Sequence, residues 1–135
     1  MRFLPPSSTK KKIESYQDLQ VWQKAMDLVI ECYRLTQRFP ANEQYGLTSQ
    51  IRRAAVSVPA NIAEGFGRWY SKEFVRFLLT TNGSLKEVET HLLISDKLGL
   101  LLTSDLQRAM GLSAEIGKML ASLRQKVSQS REERS

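Results

Sequence analysis

The chain has few of the residues that most often form cross-links and catalytic centres. It contains one cysteine and one histidine among its 135 residues. A single cysteine cannot close a disulfide within the chain, which agrees with a reducing compartment. The longest apolar run is the short LGLLL around Leu100, and the N-terminus has no apolar segment of signal-peptide length. We therefore expect a cytoplasmic protein that does not associate with a membrane.

Sequence patterns for catalysis and metal binding are equally scarce. The chain has no Gly-rich phosphate loop, no Gly-x-Ser-x-Gly and no zinc-ligand spacing. His91 follows Glu87 by four positions, which favours a solvated ion pair over the Glu-x-x-His spacing of metal-binding bundles. Cys32 lies in an apolar stripe, where a thiol behaves as a small hydrophobic side chain. We therefore predict no catalytic residue, no metal and no cofactor, and a protein that is not an enzyme.

Helix-breaking residues are sparse, since the chain has only 4 prolines and 7 glycines. Leu, Ala, Glu, Lys, Arg and Gln outnumber the β-branched residues, which favours helix over sheet. The apolar periodicity predicts helices over about residues 16–39, 43–66 and 71–98, and a fourth after the segment GLLLTSD. Four helices joined by short turns favour an all-α, antiparallel up-down-up-down four-helix bundle.

Residues typical of helix starts accompany these segments. Ser15 and Asp18 have the spacing of a capping box before the first helix. Asn42 is a candidate cap for the second helix. Ser104 and Gln107 form a second capping-box pattern, which we expect to start the fourth helix.

Proline and glycine inside the predicted helices call for separate explanations. The apolar residues of the second helix keep the same phase on both sides of Pro59, which predicts a kink and not a break. Gly65 and Gly67 are the expected C-terminal stop of that helix. Gly83 lies in the middle of the third helix, where we expect a neighbouring helix to approach closely.

The net charge of +6 is carried mainly by the two ends of the chain. Residues 1–12 hold four of the six excess positive charges, and residues 103–135 hold the other two. Polar, charged termini of this kind rarely join a core. We therefore expect a mobile basic arm over residues 1–14, the bundle over 15–127 and a polar tail over 128–135.

Two apolar stripes lie side by side on the first helix. The main stripe consists of Leu19, Trp22, Met26, Val29 and Tyr33. The second stripe consists of Val21, Ala25, Leu28, Cys32 and Leu35. Together they cover about 200° of the helical wheel, which is more than a helix of a monomeric bundle needs. Either this helix lies unusually deep, or part of it meets another subunit.

A line of polar side chains borders the apolar stripe of the second helix. It consists of Gln50, Arg53, Ser57, Asn61 and Glu64. Such a line is either the solvated flank of an amphipathic helix or a hydrogen-bonded seam, between subunits or between helices of one chain. Our candidates for an oligomer interface are Arg53, Ser57, Asn61 and Glu64.

Basic side chains suggest a second kind of surface. The candidate phosphate-binding residues are Lys10, Lys11, Lys12, Arg52, Arg68, Lys72 and Arg76. Trp69 and Tyr70 offer aromatic faces for base stacking, but a tryptophan in a turn also serves as a packed anchor. A positive charge can equally serve solubility alone, whereas a symmetric ring would multiply each basic patch.

Three stretches of the chain carry a resemblance to a known family. They are YQDLQVWQKAMDL, RFPANEQYGLTSQIRRAAVSVPANIAEGFGR and SKEFVRFLLTTNGSLKEVETHLLISDKLGLL. Over residues 16–102 they resemble the four-helix-bundle family of 23S rRNA intervening-sequence proteins, small bacterial proteins of which many have no established role. A related branch is the accessory variability determinant of diversity-generating retroelements, a basic pentameric barrel that associates with a reverse transcriptase and nucleic acid.

The resemblance implies a ring-like homo-oligomer, a pentamer, which agrees with the wide apolar arc of the first helix. It carries over no catalytic residue. The matching motif positions are Arg52, Arg53, Ser57, Pro59, Asn61, Glu64, Gly65 and Arg68. We therefore expect a non-enzymatic homo-oligomer that associates with nucleic acid, RNA in preference to DNA, or serves as a scaffold. The alternative is an accessory protein that binds a reverse transcriptase or another protein.

Overall fold

The computed structural model describes residues 12–69 and 71–134, which form four α-helices and no β-strand. The helices are α1 (Gln20–Thr36), α2 (Leu47–Phe66), α3 (Lys72–Lys97) and α4 (Thr103–Arg134). Two short 3-10 turns, Tyr16–Asp18 and Ala41–Glu43, lie before α1 and α2. The predicted all-α class and the number of helices are confirmed.

Each helix packs against two others around one core. Helix α2 contacts α1 and α3, and helix α4 contacts α3 and α1. Within the described residues the backbones of α1 and α3 make no close contact, and neither do those of α2 and α4. The largest fully buried side chains include Phe74, Leu28, Leu35, Ile51, Ile62 and Leu78. The chain is therefore a four-helix bundle. None of its described helices is long and apolar enough to cross a bilayer.

The predicted capping box holds the start of the bundle. Ser15 Oγ accepts a hydrogen bond from the Gln17 amide at 3.1 Å, and Asp18 Oδ2 accepts one from the Ser15 amide at 3.2 Å. These bonds cap the first 3-10 turn, and α1 begins only after Leu19. The predicted cap is confirmed, although the α-helix starts later than residue 16.

The other two predicted caps are wrong. Asn42 lies within a 3-10 turn, and α2 begins further along, at Leu47. Glu43 caps α2 instead, because its Oε1 accepts a hydrogen bond from the Leu47 amide at 3.1 Å. Helix α4 begins at Thr103, so Ser104 already lies inside its first turn and cannot be the N-cap.

Helix α4 is the longest of the four and runs to Arg134. It continues past residue 127, where we expect the bundle to end and a polar tail to begin. Val127 is fully buried, so the core reaches this point. The division of the chain at residues 14 and 127 stays a prediction, and residues 1–11 of the expected arm lie outside the described ranges.

Helix α2 runs unbroken through Pro59, whose ring is buried. A proline inside a helix removes the hydrogen bond to the carbonyl four residues earlier, here that of Ala55. The helix continues to Phe66 in spite of this loss because its apolar side remains packed on both sides of the proline. A bend of the helix axis at Pro59 stays a prediction.

Gly65 allows α2 and α3 to come close together. A Cβ atom at this position would lie 2.6 Å from Phe77 Cβ and 2.9 Å from Phe74 Cδ1. Carbon atoms in favourable contact are about 3.5–4.0 Å apart, so no side chain fits here without a shift. Gly65 is therefore a packing residue and not a helix stop, and the helix ends after it, before Gly67.

Gly83 is the opposite case. A Cβ atom added there would meet no atom within 4 Å, and the residue is exposed to solvent. The predicted close approach of a neighbouring helix at Gly83 is therefore wrong. Because a glycine inside a helix with open space around it has no compensating contact, it lowers the stability of α3.

These two glycines provide a matched pair of substitutions. We expect Gly65→Ala to lower the free energy of unfolding by about 1–3 kcal/mol, because the added methyl group overpacks the α2–α3 contact. We expect Gly83→Ala to raise it by about 0.5–1 kcal/mol, because alanine is the better helix former in open space. Urea unfolding at one fixed protein concentration measures both changes. Equal effects of the two substitutions would contradict the assigned packing.

Candidate assembly and nucleic-acid surfaces

Helix α1 turns one of its two apolar stripes to the core and leaves the other partly in solvent. The buried stripe is Val21, Ala25, Leu28, Cys32 and Leu35. Met26 and Tyr33 of the stripe predicted as the main one are 38% and 39% exposed, and the adjacent Ile30 is 66% exposed. Helix α1 therefore has more apolar surface than the bundle covers.

The exposed apolar surface continues from α1 onto α2. Arg52 joins the two helices, because its guanidinium lies 4.4 Å from the centre of the Tyr33 ring and its Nε donates to Thr36 Oγ1 at 2.9 Å. Val56 follows Arg52 by one helical turn on the same side of α2 and is 43% exposed. We call this surface the α1–α2 face, and it consists of Met26, Ile30, Tyr33 and Val56.

The polar line of α2 makes its described side-chain hydrogen bonds within its own helix. Ser57 Oγ donates to the Ala54 carbonyl at 2.7 Å, and Asn61 Nδ2 donates to the Ser57 carbonyl at 2.8 Å. Arg53 and Glu64 are both exposed, and neither forms an ion pair with another described residue. The line therefore makes no seam with other described helices of the same chain, and its part in an interface between subunits stays a prediction.

Three candidate phosphate-binding residues lie where α2 passes into α3. Arg68, Lys72 and Arg76 all reach solvent. The Arg68 guanidinium lies 5.3 Å from the centre of the Phe77 ring, and Arg76 is 3.9 Å from a carboxylate oxygen of Glu73. Lys72 has no ion-pair partner among the described residues. We call Arg68, Lys72 and Arg76 the basic turn.

The structure places the remaining phosphate-binding candidates differently. Lys12 is exposed, whereas Lys10 and Lys11 lie outside the described residues. Arg52 already contacts Tyr33 and Thr36 within the chain. Arg52 therefore connects α1 to α2, and a role of these residues in phosphate binding stays a prediction.

Trp69 anchors the connection between α2 and α3 by packing. Its ring centre lies 5.6 Å from that of Phe66 and 5.3 Å from that of Phe74. Such edge and tilted contacts stabilise an aromatic cluster beyond the area that they bury. The half-buried Trp69 ring is therefore part of the turn's own packing, and Tyr70 lies outside the described residues.

Five charged side chains that the sequence patterns did not single out meet between α1 and α4. We call them the arginine cluster, and they are Glu31, Arg34, Arg38, Asp105 and Arg108. The Asp105 side chain is only 5% exposed and accepts hydrogen bonds from Arg34 at 2.9 Å, from Arg108 at 3.2 Å and from Arg38. Glu31 accepts hydrogen bonds from Arg34 and, at 3.0 Å, from Arg108. Two carboxylates thus hold three guanidinium groups.

The arginines lower the pKa of both carboxyl groups in the cluster. The hydrogen bond with Arg34 is the largest cause of the lowered pKa of Glu31 and of Asp105, and it outweighs burial, which acts in the opposite direction. The bonds with Glu31 and Asp105 in turn raise the pKa of Arg34. All these groups are therefore charged at neutral pH, and their attraction connects α1 to α4.

Cys32 and His91 take no part in any of these surfaces. Cys32 is fully buried, and this burial, with a smaller effect of Glu31, raises the pKa of its thiol to about 12. His91 Nδ1 is buried without a hydrogen-bond partner among the described residues, and the predicted ion pair with Glu87 does not form. Within the same ranges no three His, Cys, Asp or Glu side chains are placed to hold a metal ion.

Comparisons with known proteins agree with this architecture. The family model described as 23S rRNA-intervening sequence protein matches residues 17–122. Among solved structures, the chain is similar to a protein of unknown function from the S23 ribosomal protein family of Bacteroides thetaiotaomicron, with a TM-score of 0.67 and 23% sequence identity. The match covers 77% of this chain and 97% of that chain, and at this identity it shows the fold alone. No curated protein matches the chain.

The arginine cluster predicts a stability that depends on pH. A carboxyl group whose pKa is lowered by folding stabilises the protein above its ordinary pKa, and this stabilisation is lost as the pH falls through the lowered pKa. We expect Asp105→Asn to lower the thermal midpoint by about 5 °C near neutral pH, and the difference from the wild type to shrink below about pH 4. Thermal unfolding followed by circular dichroism across this pH range measures both effects.

The matched control is Asp27→Asn, because Asp27 is exposed on α1 and forms no ion pair within the described ranges. We expect this substitution to leave the thermal midpoint unchanged at every pH. A constant difference between wild type and Asp105→Asn at all pH values would contradict the assigned role of Asp105.

Proposed function

The chain belongs to the family of 23S rRNA-intervening sequence proteins, as the resemblance in its sequence predicts, and we propose that it acts as a non-enzymatic, homo-oligomeric protein that associates with RNA in the cytoplasm. The α1–α2 face is the observation that carries this proposal. It combines an exposed Ile30 with the half-exposed Tyr33 of the same helix and with Val56 of the next one. Exposed apolar side chains that are grouped on one part of the surface mark an interaction site more often than scattered apolar residues do.

A closed ring of identical subunits provides the simplest cover for the α1–α2 face. In a closed symmetric assembly every copy buries the same surface, so no apolar face remains in water. The polar line lies on the same helix as Val56, and its Arg53 and Glu64 have no ion-pair partner within the described residues. Charged partners in a neighbouring subunit would satisfy them, with Ser57 and Asn61 between them. The number of subunits that we propose is five, as the resemblance implies.

Within each subunit we propose that the helices alternate in direction, up-down-up-down, with a bend of α2 at Pro59. Pairs between α1 and α4 support this arrangement, because the residue number falls on one helix as it rises on the other. They are Lys24 with Glu115, Glu31 with Arg108, and Arg34 with Asp105. Neighbouring helices with this order of contacts are antiparallel.

RNA is the partner that the charge distribution favours. The basic turn presents Arg68, Lys72 and Arg76 to solvent, and of these three only Arg76 has an ion-pair partner in the described part of the chain. Lys10, Lys11 and Lys12 add charge in the N-terminal arm. Phosphates attract such groups without regard to base sequence, and a ring would present several copies of each group to one strand.

A second candidate function is an accessory protein that binds another protein, such as a reverse transcriptase. The same α1–α2 face favours it, because an apolar surface can be covered by a different chain as well as by a copy. The salt dependence of the binding affinity distinguishes an RNA partner from a protein partner. Binding to phosphates weakens steeply as the salt concentration rises, whereas an apolar protein contact does not.

The assembly is open to a direct test on the α1–α2 face. We expect Ile30→Glu to dissociate the oligomer, because each interface would have to bury an unpaired carboxylate in apolar surroundings. The matched control is Leu79→Glu, since Leu79 is 53% exposed on α3, outside the α1–α2 face. Sedimentation velocity should show monomers for Ile30→Glu and wild-type assemblies for Leu79→Glu. A monomeric wild-type protein at micromolar concentration would refute the proposed assembly.

The basic arm allows a separate test of RNA association. We expect the triple substitution Lys10→Gln, Lys11→Gln and Lys12→Gln to weaken the binding of single-stranded RNA. Each phosphate that the arm no longer neutralises should reduce the slope of log affinity against log salt by about 0.7, so the slope falls by up to about 2. Fluorescence anisotropy at several salt concentrations measures affinity and slope together. An unchanged slope would exclude the arm from RNA binding.

A further inference from the structure

We propose that the arginine cluster between α1 and α4 binds a phosphate group of single-stranded RNA. The inference rests on the RNA association proposed above and assigns it a contact that differs from the basic turn. It follows from one juxtaposition: Arg38 and Arg108, each about half exposed, converge on the buried carboxylate of Asp105.

Arg38 and Arg108 keep most of their hydrogen-bond donors free. Each side chain is 53% exposed and uses one terminal nitrogen for the carboxylates, NH2 in Arg38 and NH1 in Arg108. Their Nε atoms and remaining terminal nitrogens have no protein partner among the described residues. Because a guanidinium offers five N–H donors in a planar fork, each of these side chains can still present a pair of donors to a phosphate.

The two carboxylates hold the guanidinium groups in place before any ligand arrives. Asp105 is anchored on α4 and buried, and Glu31 is anchored on α1. An arginine that is already fixed loses less conformational entropy on binding than one that moves freely in water. Three guanidinium groups against two carboxylates leave one excess positive charge, which matches the single negative charge of a phosphodiester.

A cleft beside the cluster provides room for the ligand. It is open to solvent, has a volume of about 240 Å³ and is lined by Arg38, Asp105, Leu35 and residues 99–102. This volume lies below the roughly 300 Å³ at which pockets for drug-sized ligands begin, so the cleft suits a phosphate with part of its sugar. Leu102, 57% exposed, provides an apolar edge for the sugar.

The test compares RNA affinity in variants of the full-length protein. We expect the double substitution Arg38→Gln, Arg108→Gln to weaken binding of a short fluorescent single-stranded RNA by about tenfold, and to reduce the salt slope by about 0.7 for the one phosphate released. The matched control is Arg124→Gln, Lys126→Gln, which removes the same charge from α4 away from the cluster. We expect the control to keep its affinity within about threefold and its salt slope unchanged.

A second double substitution distinguishes a loss of RNA binding from a loss of folding. Arg38→Lys, Arg108→Lys keeps the charge beside Asp105 but removes the planar forks. We expect it to retain the wild-type helicity and thermal midpoint while it still weakens RNA binding several-fold. If this variant binds RNA as tightly as the wild type, the cluster does not recognise phosphate through its guanidinium forks, and the proposal is overturned.

The remaining outcomes separate this inference from the proposed function. A wild-type protein that fails to bind RNA even at low salt overturns both. If the wild type binds RNA and Arg38→Gln, Arg108→Gln binds RNA with the same affinity as the wild type, the proposed site alone is overturned. The same holds if the affinity of this double variant equals that of the control. Inorganic pyrophosphate serves as the probe for a free phosphate compound. Pyrophosphate could raise the thermal midpoint of the wild type and not that of Arg38→Gln, Arg108→Gln. If the RNA affinity of this double variant is at the same time unchanged, the cluster binds small anions and its assignment to RNA is wrong.

Discussion

The attraction between one buried carboxylate and three guanidinium groups fixes how α1 sits in the bundle. Asp105 binds Arg34 on the flank of α1 that faces α4. On the other flank, Arg52 of α2 lies over Tyr33 and donates to Thr36. With both flanks held, α1 cannot rotate about its axis to bury Ile30. The contacts that close the bundle therefore also leave the α1–α2 face in solvent.

Helix α2 links the two surfaces that matter for the proposed function. One side of it contributes Val56 to the α1–α2 face, and its end passes into the basic turn that begins at Arg68. Gly65 fixes this end against α3, because the backbone there lies too close to Phe74 and Phe77 for any side chain. Assembly through the α1–α2 face would therefore set every basic turn of a ring in a fixed relation to the others. In the proposed ring, weak phosphate contacts would act together and raise the overall affinity without any additional contact.

Sequence patterns predicted those features of the fold that depend on neighbours along the chain. Four helices follow from periodicity, and the cap at Ser15 follows from a spacing of three residues. The contrast between Gly65 and Gly83 was not predictable, since both are small residues inside helices and only the distance to the next helix distinguishes them. The two stripes of α1 were equally ambiguous. Both are apolar, and contacts of α1 with α2 and α4 decide which one is buried.

The arginine cluster shows the same limit for the candidate sites. Its only local signals are the three-residue spacings of Glu31 with Arg34 and of Asp105 with Arg108, which are common on solvated helices. The contacts that create the cluster join residues 71 and 77 positions apart, and they require the register of α1 on α4. The basic turn, in contrast, was predicted from residues close together in the sequence, and the solvent access of Arg68, Lys72 and Arg76 agrees with that interpretation. Whether the basic turn binds phosphate stays a prediction.

The burial of Cys32 has a practical consequence for spectroscopy. Its thiol is fully enclosed and has a pKa of about 12, so almost none of it is present as the reactive thiolate at neutral pH. A second cysteine introduced at an exposed position would be the faster-reacting thiol in the folded chain. Fluorophores or spin labels can therefore be attached at chosen points while the native cysteine remains in its place in the core.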